Sequence, residues 1–134
     1  MSHYTTVKTE FKSLKALMKA LAEVGFTKEK VELHEEPVHL YGYQGDKRDQ
    51  KAHVVIRRKY VGGASNDIGF IKEGKAFTAI VSEYDQYRYG PSWMKQLKRH
   101  YTKFVAVDQL KKIGCIVTEN KNKQGQTILI GTMT

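Results

Sequence analysis

Ser13-Leu14-Lys15-Ala16-Leu17-Met18-Lys19-Ala20-Leu21-Ala22-Glu23-Val24-Gly25 is the stretch from which the fold is read. Leu14, Leu17, Met18, Leu21 and Val24 recur at spacings of three and four, which makes one apolar stripe on a helix. Ser13 offers a side-chain oxygen for the free N–H groups of the first turn. Gly25 stands where a left-handed residue ends a helix. The spacing predicts a helix over 13–24, whose apolar stripe needs a second layer to cover.

Upstream, residues 4–11 are rich in β-branched and aromatic types and read as a strand with Thr5, Val7, Thr9 and Phe11 on one face. Downstream, 31–34 and 38–43 read as strand, and Glu35-Glu36-Pro37 between them implies an edge position, a bulge or a break. Residues 44–51 are polar and predict a turn. Residues 52–60, centred on Val54-Val55-Ile56, predict a strand, and 61–66 a flexible loop. Two apolar runs, 68–72 and 76–84, flank Glu73-Gly74-Lys75 as a tight hairpin. Residues 84–92 form a polar, aromatic-rich loop.

Gly90-Pro91-Ser92 then marks a helix start, with Pro91 or Ser92 in the first position. That helix runs to about Ile113, and Gly114 stops it. Its apolar stripe rotates after Val105, which predicts a kink or break near Ala106. Residues 115–118 and 127–132 close the chain as a hairpin.

The order is thus β-α-β-β-β-β-α-β-β. Short links between consecutive strands favour antiparallel pairing. The expectation is a two-layer α+β sandwich, a largely antiparallel sheet with two helices on one face. No repeat or linker divides the chain, so 1–134 reads as a single domain.

Composition sets further bounds. The chain carries 23 Lys and Arg against 14 Asp and Glu, a net charge of +9, and a pI of 9.6. Such a balance favours association with anionic partners without dictating a fold. No apolar run is long enough to span a membrane. The first residues lack a secretory pattern and Cys115 has no partner for a disulfide, so a cytoplasmic setting is expected.

The second helix places Trp93, Leu97, Tyr101 and Phe104 on one side, and Lys95, Lys98, Arg99 and Lys103 on the other. That basic stripe suits a phosphate backbone or an acidic protein surface, and it is also what an ordinary solvated helix face looks like. On the strand 52–60, only Arg57 and Lys59 share a face, where charge equally serves to protect an edge. Tyr84, Tyr87, Arg88 and Tyr89 interleave rings with a cation. Such a cluster can stack on bases or enter an interface, or its rings can close the end of the core.

The catalytic and metal readings are thin. His3, His34, His39, His53 and His100 show no metal-ligand spacing, so no metal site and no cofactor are expected. Cys115 opens an apolar strand and is expected to be buried. Asp67, Glu83 and Asp85 flank strands as solvated carboxylates, or as a pair for acid–base work. No phosphate-binding loop, nucleophile elbow or dinucleotide fingerprint is present.

The chain resembles a known family through Met1 to Thr9, Gly42-Tyr43-Gln44-Gly45, residues 52–57, Asn66-Asp67-Ile68-Gly69-Phe70, Trp93, Leu97 and Tyr101. It is similar to the "hypothetical chloroplast reading frame thirty-five" proteins of cyanobacteria, algal plastids and certain phages, over nearly its whole length. That resemblance brings no activity or site with it, the family being one of unknown function. Two features depart from the family's pattern: residues 84–92 hold a single acid and one Arg, and the chain is unusually basic. A phage-encoded copy working in host cytoplasm would fit such divergence.

The leading expectation is a non-enzymatic binding or adaptor domain acting through a protein partner. The alternative is an RNA- or DNA-binding domain that uses the basic face of the second helix. An enzyme assembled from scattered polar residues is a third class. Open sheet edges allow a homodimer.

Overall fold

The computed structural model describes residues 3–133, without the side chains of 7–10. Its elements run β1 (Tyr4–Phe11), α1 (Leu14–Glu23), β2 (Glu32–Tyr41), β3 (Lys47–Ile56), α2 (Arg58–Val61), β4 (Ile68–Glu73), β5 (Ala76–Ser82), α3 (Gln86–Tyr89), α4 (Pro91–Lys112), β6 (Cys115–Lys121) and β7 (Thr127–Met133). A single 3₁₀ turn at Lys28–Lys30 precedes β2. Five strands form one sheet in the order β1-β5-β4-β3-β2, all pairs antiparallel. The remaining two pair as a separate hairpin. This is the expected α+β architecture, with two short helical turns added.

The predicted first helix forms as its stripe requires. Ser13 caps it through a hydrogen bond from the Ala16 N–H, and Ala16, Leu17, Ala20 and Leu21 are buried. Gly25 ends it at φ +103°, a left-handed conformation that side chains disfavour. Tyr101 ties α4 to this start. Its phenolic oxygen accepts from the Lys12 and Ser13 backbone N–H groups at 2.7 and 2.9 Å, satisfying donors at the entry to α1. The two helices meet over one sheet face, where Leu17, Leu21, Phe70, Val81, Trp93 and Leu97 share a core cluster. The expected strand face of Thr5, Val7, Thr9 and Phe11 includes Val7 and Thr9, whose side chains lie outside the described ones; Phe11 is in the core.

Several boundaries differ from expectation for local reasons. The two expected strand pieces join as one strand, β2, from Glu32 to Tyr41: Pro37 lies on the sheet edge, and six residues of β2 (Leu33 to Val38) oppose only three of β3 (Val54 to Ala52). That bulge bends β2, so that Leu40 reaches a second buried cluster with Ala52, Val55 and Ile80. β3 begins at Lys47, inside the predicted polar turn, because an edge-proximal hairpin tolerates charged side chains. It ends at Ile56, so residues 58–61 are a helical turn and not the end of a strand.

Residues 86–89 are likewise a helical turn within the predicted loop. Pro91 takes the first position of α4. That helix continues unbroken to Lys112, so no break falls near Ala106. The rotated stripe has its own partner, since β6 packs along this half of α4. The inner face of the hairpin brings Gly131 beside Leu110, while Ile116, Ile128 and Ile130 point outward and are exposed. Cys115 is half-buried, not buried as expected, because a two-stranded sheet covers only one side of it; its sulfur lies 3.4 Å from that of Met133.

Candidate functional site

The candidate surface forms where β5 hands the chain to α4. Ser82 and Asp85 close the turn: the Ser82 hydroxyl donates to Asp85 Oδ2 at 2.6 Å, and the Asp85 N–H donates back to that hydroxyl at 3.2 Å. The Arg88 and Tyr89 N–H groups both donate to the Asp85 carbonyl, which winds α3. Gly90 then reverses the chain so tightly that a Cβ there would collide with the Gln86 carbonyl oxygen, and only glycine fits. The reversal lays α3 against the first turns of α4.

A groove of about 320 Å³ runs between them. Its apolar floor is Val81, Tyr89 and Met94, with Gln86 and the Gly90–Pro91 corner at one end. Lys95 and Lys98, three residues apart on α4, also line the groove. The first turn of α4 carries no acid and its Gly90 cap contributes no side-chain hydrogen bond.

The tyrosines divide by role. Tyr89 is half-buried; its ring stands edge-on to Trp93 at 5.3 Å and lies 5.8 Å from Phe26. Its hydroxyl donates to the Val61 carbonyl at 3.1 Å. Tyr89 therefore closes the end of the core as well as flooring the groove. Tyr84 and Tyr87 are exposed, Tyr87 by 73%, and contact each other edge-to-face at 5.8 Å. Arg88 lies over the Tyr89 ring and donates to the Val61 carbonyl at 3.4 Å.

The basic residues divide similarly. Lys95, Lys98 and Arg99 are exposed, and no ion pair engages them among the described residues. Lys103 pairs with Glu119 of β6 at 3.4 Å and lies over the Phe104 ring. The acid that shortens the stripe comes from another element, so helix spacing alone did not reveal it. Lys59 lies in the α2 turn over Tyr60. Arg57 caps that turn and shares no strand face with Lys59.

Arg57 is instead held by two carboxylates. Its Nε and Nη2 donate to Glu32 at 2.9 Å each, a bidentate pair, and its Nη1 donates to Asp67 Oδ2 at 2.9 Å. The bond from Arg57, aided by one from His34, holds the Glu32 carboxyl below its ordinary range. Burial, and then the Asp67 charge, push the Tyr4 phenol well above its usual value, so Tyr4 stays a donor; it bonds the Asp67 carbonyl at 2.8 Å.

Asp67 and Asp85 are each 1% exposed, not solvated as expected. Asp67 also accepts from the Tyr41 and Arg58 N–H groups, and Asp85 from Asn66 and Ser82. Glu83 alone of the three is exposed. The network stitches the 62–67 loop to β2 and β5, a role sequence spacing does not disclose because its partners lie 9 to 26 residues away. Among the described residues, no three His, Cys, Asp or Glu side chains are grouped to hold a metal ion, and no helix is long and apolar enough to cross a membrane.

No curated protein and no solved structure matches this chain. One family does match, over residues 14–130, which takes in the core helices, the five-stranded sheet from β2 onward, the groove and most of the hairpin. The chain belongs to that family, described as "Protein of unknown function (DUF1257)".

Proposed function

We propose that this domain binds a protein partner, without catalysing a reaction, through the surface made by α3 and the first turns of α4. The observation that carries this reading is the exposed Tyr84–Tyr87 pair beside an apolar groove lined by Lys95 and Lys98. Exposed aromatic side chains next to an apolar depression are what interface anchors look like. A phosphate backbone would engage only the lysines and Arg99 and leave the apolar floor uncovered. With Lys103 and Arg57 already paired, the cationic stripe available to RNA or DNA is short. The likeness to the chloroplast-reading-frame proteins, a cytosolic setting and action of the chain as one unit all accord with this reading.

The test is site-specific photocross-linking with benzoylphenylalanine at Tyr87, beside a control at exposed Glu73 at the end of β4. A partner captured at 87 and not at 73, then purified, should bind the domain about ten-fold more weakly after Tyr84→Ala and Tyr87→Ala. Equal capture at both positions would overturn the reading. So would mixed-RNA binding that falls by orders of magnitude between about 50 and 200 mM salt and vanishes with Lys95→Gln, Lys98→Gln and Arg99→Gln.

A further inference from the structure

Resting on that reading, we propose that the groove takes a partner segment in which a large apolar side chain stands next to one or two carboxylates. The floor sets the first half of this requirement. The side chains of Val81, Met94 and Tyr89 carry no charge, and at about 320 Å³ the space is at the small end of specific pockets. It admits one or two side chains of a bound strand or helix, not a folded element. An apolar anchor seated there removes the floor from water, and the aliphatic stems of Lys95 and Lys98 extend the apolar wall to their ammonium groups.

Charge complementarity sets the second half. Lys95, Lys98 and Arg99 stand on consecutive turns of α4 with no acid paired to them among the described residues. The first turn of the helix contributes no carboxylate either. A partner's Asp or Glu at the rim would meet two ammonium groups while its apolar neighbour points inward. A basic or uncharged segment would meet repulsion, or leave both lysines without counter-charge. The specificity thus lies in adjacency: an acid alone finds only a surface lysine, and an apolar residue alone gains only the floor.

The probe is a library of random peptides displayed on phage and panned against the whole chain. Enriched sequences should place Asp or Glu beside Leu, Phe, Trp or Met. A peptide synthesised from them should bind Lys95→Glu/Lys98→Glu about ten-fold or more weakly than the parent. Replacing the peptide's acids with Lys should restore binding to that variant. Both lysines are exposed, so the variant's thermal unfolding should match the parent's and loss of fold cannot mimic loss of binding.

Enrichment of basic or wholly apolar peptides, or peptides indifferent to the charge reversal, overturns the inference. No enrichment, with cross-linking at Tyr87 still capturing a partner, leaves the surface in place and removes the groove's chemistry. Failure of both removes both.

Discussion

Arg57 and Asp67 form an ion pair in which the carboxylate is 1% exposed and the guanidinium keeps a second, bidentate partner in Glu32. Asp67 is therefore the fixed point. Its two oxygens accept the N–H groups of Tyr41 and Arg58 as well as the Arg57 bond, locking the β2 and β3 ends to the start of β4. Asp67→Ala leaves those two backbone donors without their acceptor and removes one of two acceptors of Arg57 Nη1, which keeps the His39 carbonyl at 3.2 Å. The expected cost is about 3 kcal/mol, with Asp67→Asn costing less because a carbonyl oxygen remains. Urea denaturation at neutral pH measures both, and a loss under about 1 kcal/mol for the alanine variant would contradict this account.

Glu32 gives the pair network an acid limb. Its carboxyl is held below the ordinary 4.5, chiefly by the Arg57 hydrogen bond. A depressed carboxylate contributes stability at pH values above its unfolded value and loses that contribution as pH falls through the folded value. Stability of the parent should therefore decline more steeply than that of Glu32→Gln from about pH 5 to pH 3. Glu29, lowered by its bond from Thr27, and Asp108, lowered by Lys112, titrate alike in both proteins, so the difference isolates Glu32. Parallel curves would show that Glu32 does not sense the pair.

Gly69 lies where β2 folds over the second sheet face. A Cβ at this position would sit 2.6 Å from Ala52 Cβ and 3.0 Å from Leu40 Cδ2, both in buried residues. Gly69→Ala should destabilise by about 2 kcal/mol through overpacking. Gly63→Ala, with open space around it, should change stability by less than about 0.5 kcal/mol. Thermal unfolding of the two variants side by side decides it. Equal melting temperatures would mean that Leu40 yields freely.

The candidate surface was legible in part. Aromatic and basic residues at 84–99 stand out in sequence, and Tyr84, Tyr87, Lys95, Lys98 and Arg99 are indeed exposed. The groove that Lys95 and Lys98 line depends on the collision that excludes any side chain at Gly90 and on Tyr89 turning inward to Trp93. Neither follows from composition. Arg57, Lys59 and Lys103 look equivalent to those cations in sequence, yet Arg57 and Lys103 are committed to carboxylates from other parts of the chain.

By itself the sequence determined the local elements. Apolar spacing of three and four wrote α1 and α4, Ser13 and Gly25 bounded the first, and β-branched runs between polar turns wrote the strands, because those signals act within a few residues. Tertiary structure decided the rest: the bulge that carries β2 past Pro37, the unbroken run of α4 under a hairpin that covers its rotated stripe, and the burial of Asp67 and Asp85. Each depends on partners distant in the chain, and a buried charge or an off-axis apolar stripe is stable only once those partners are in place.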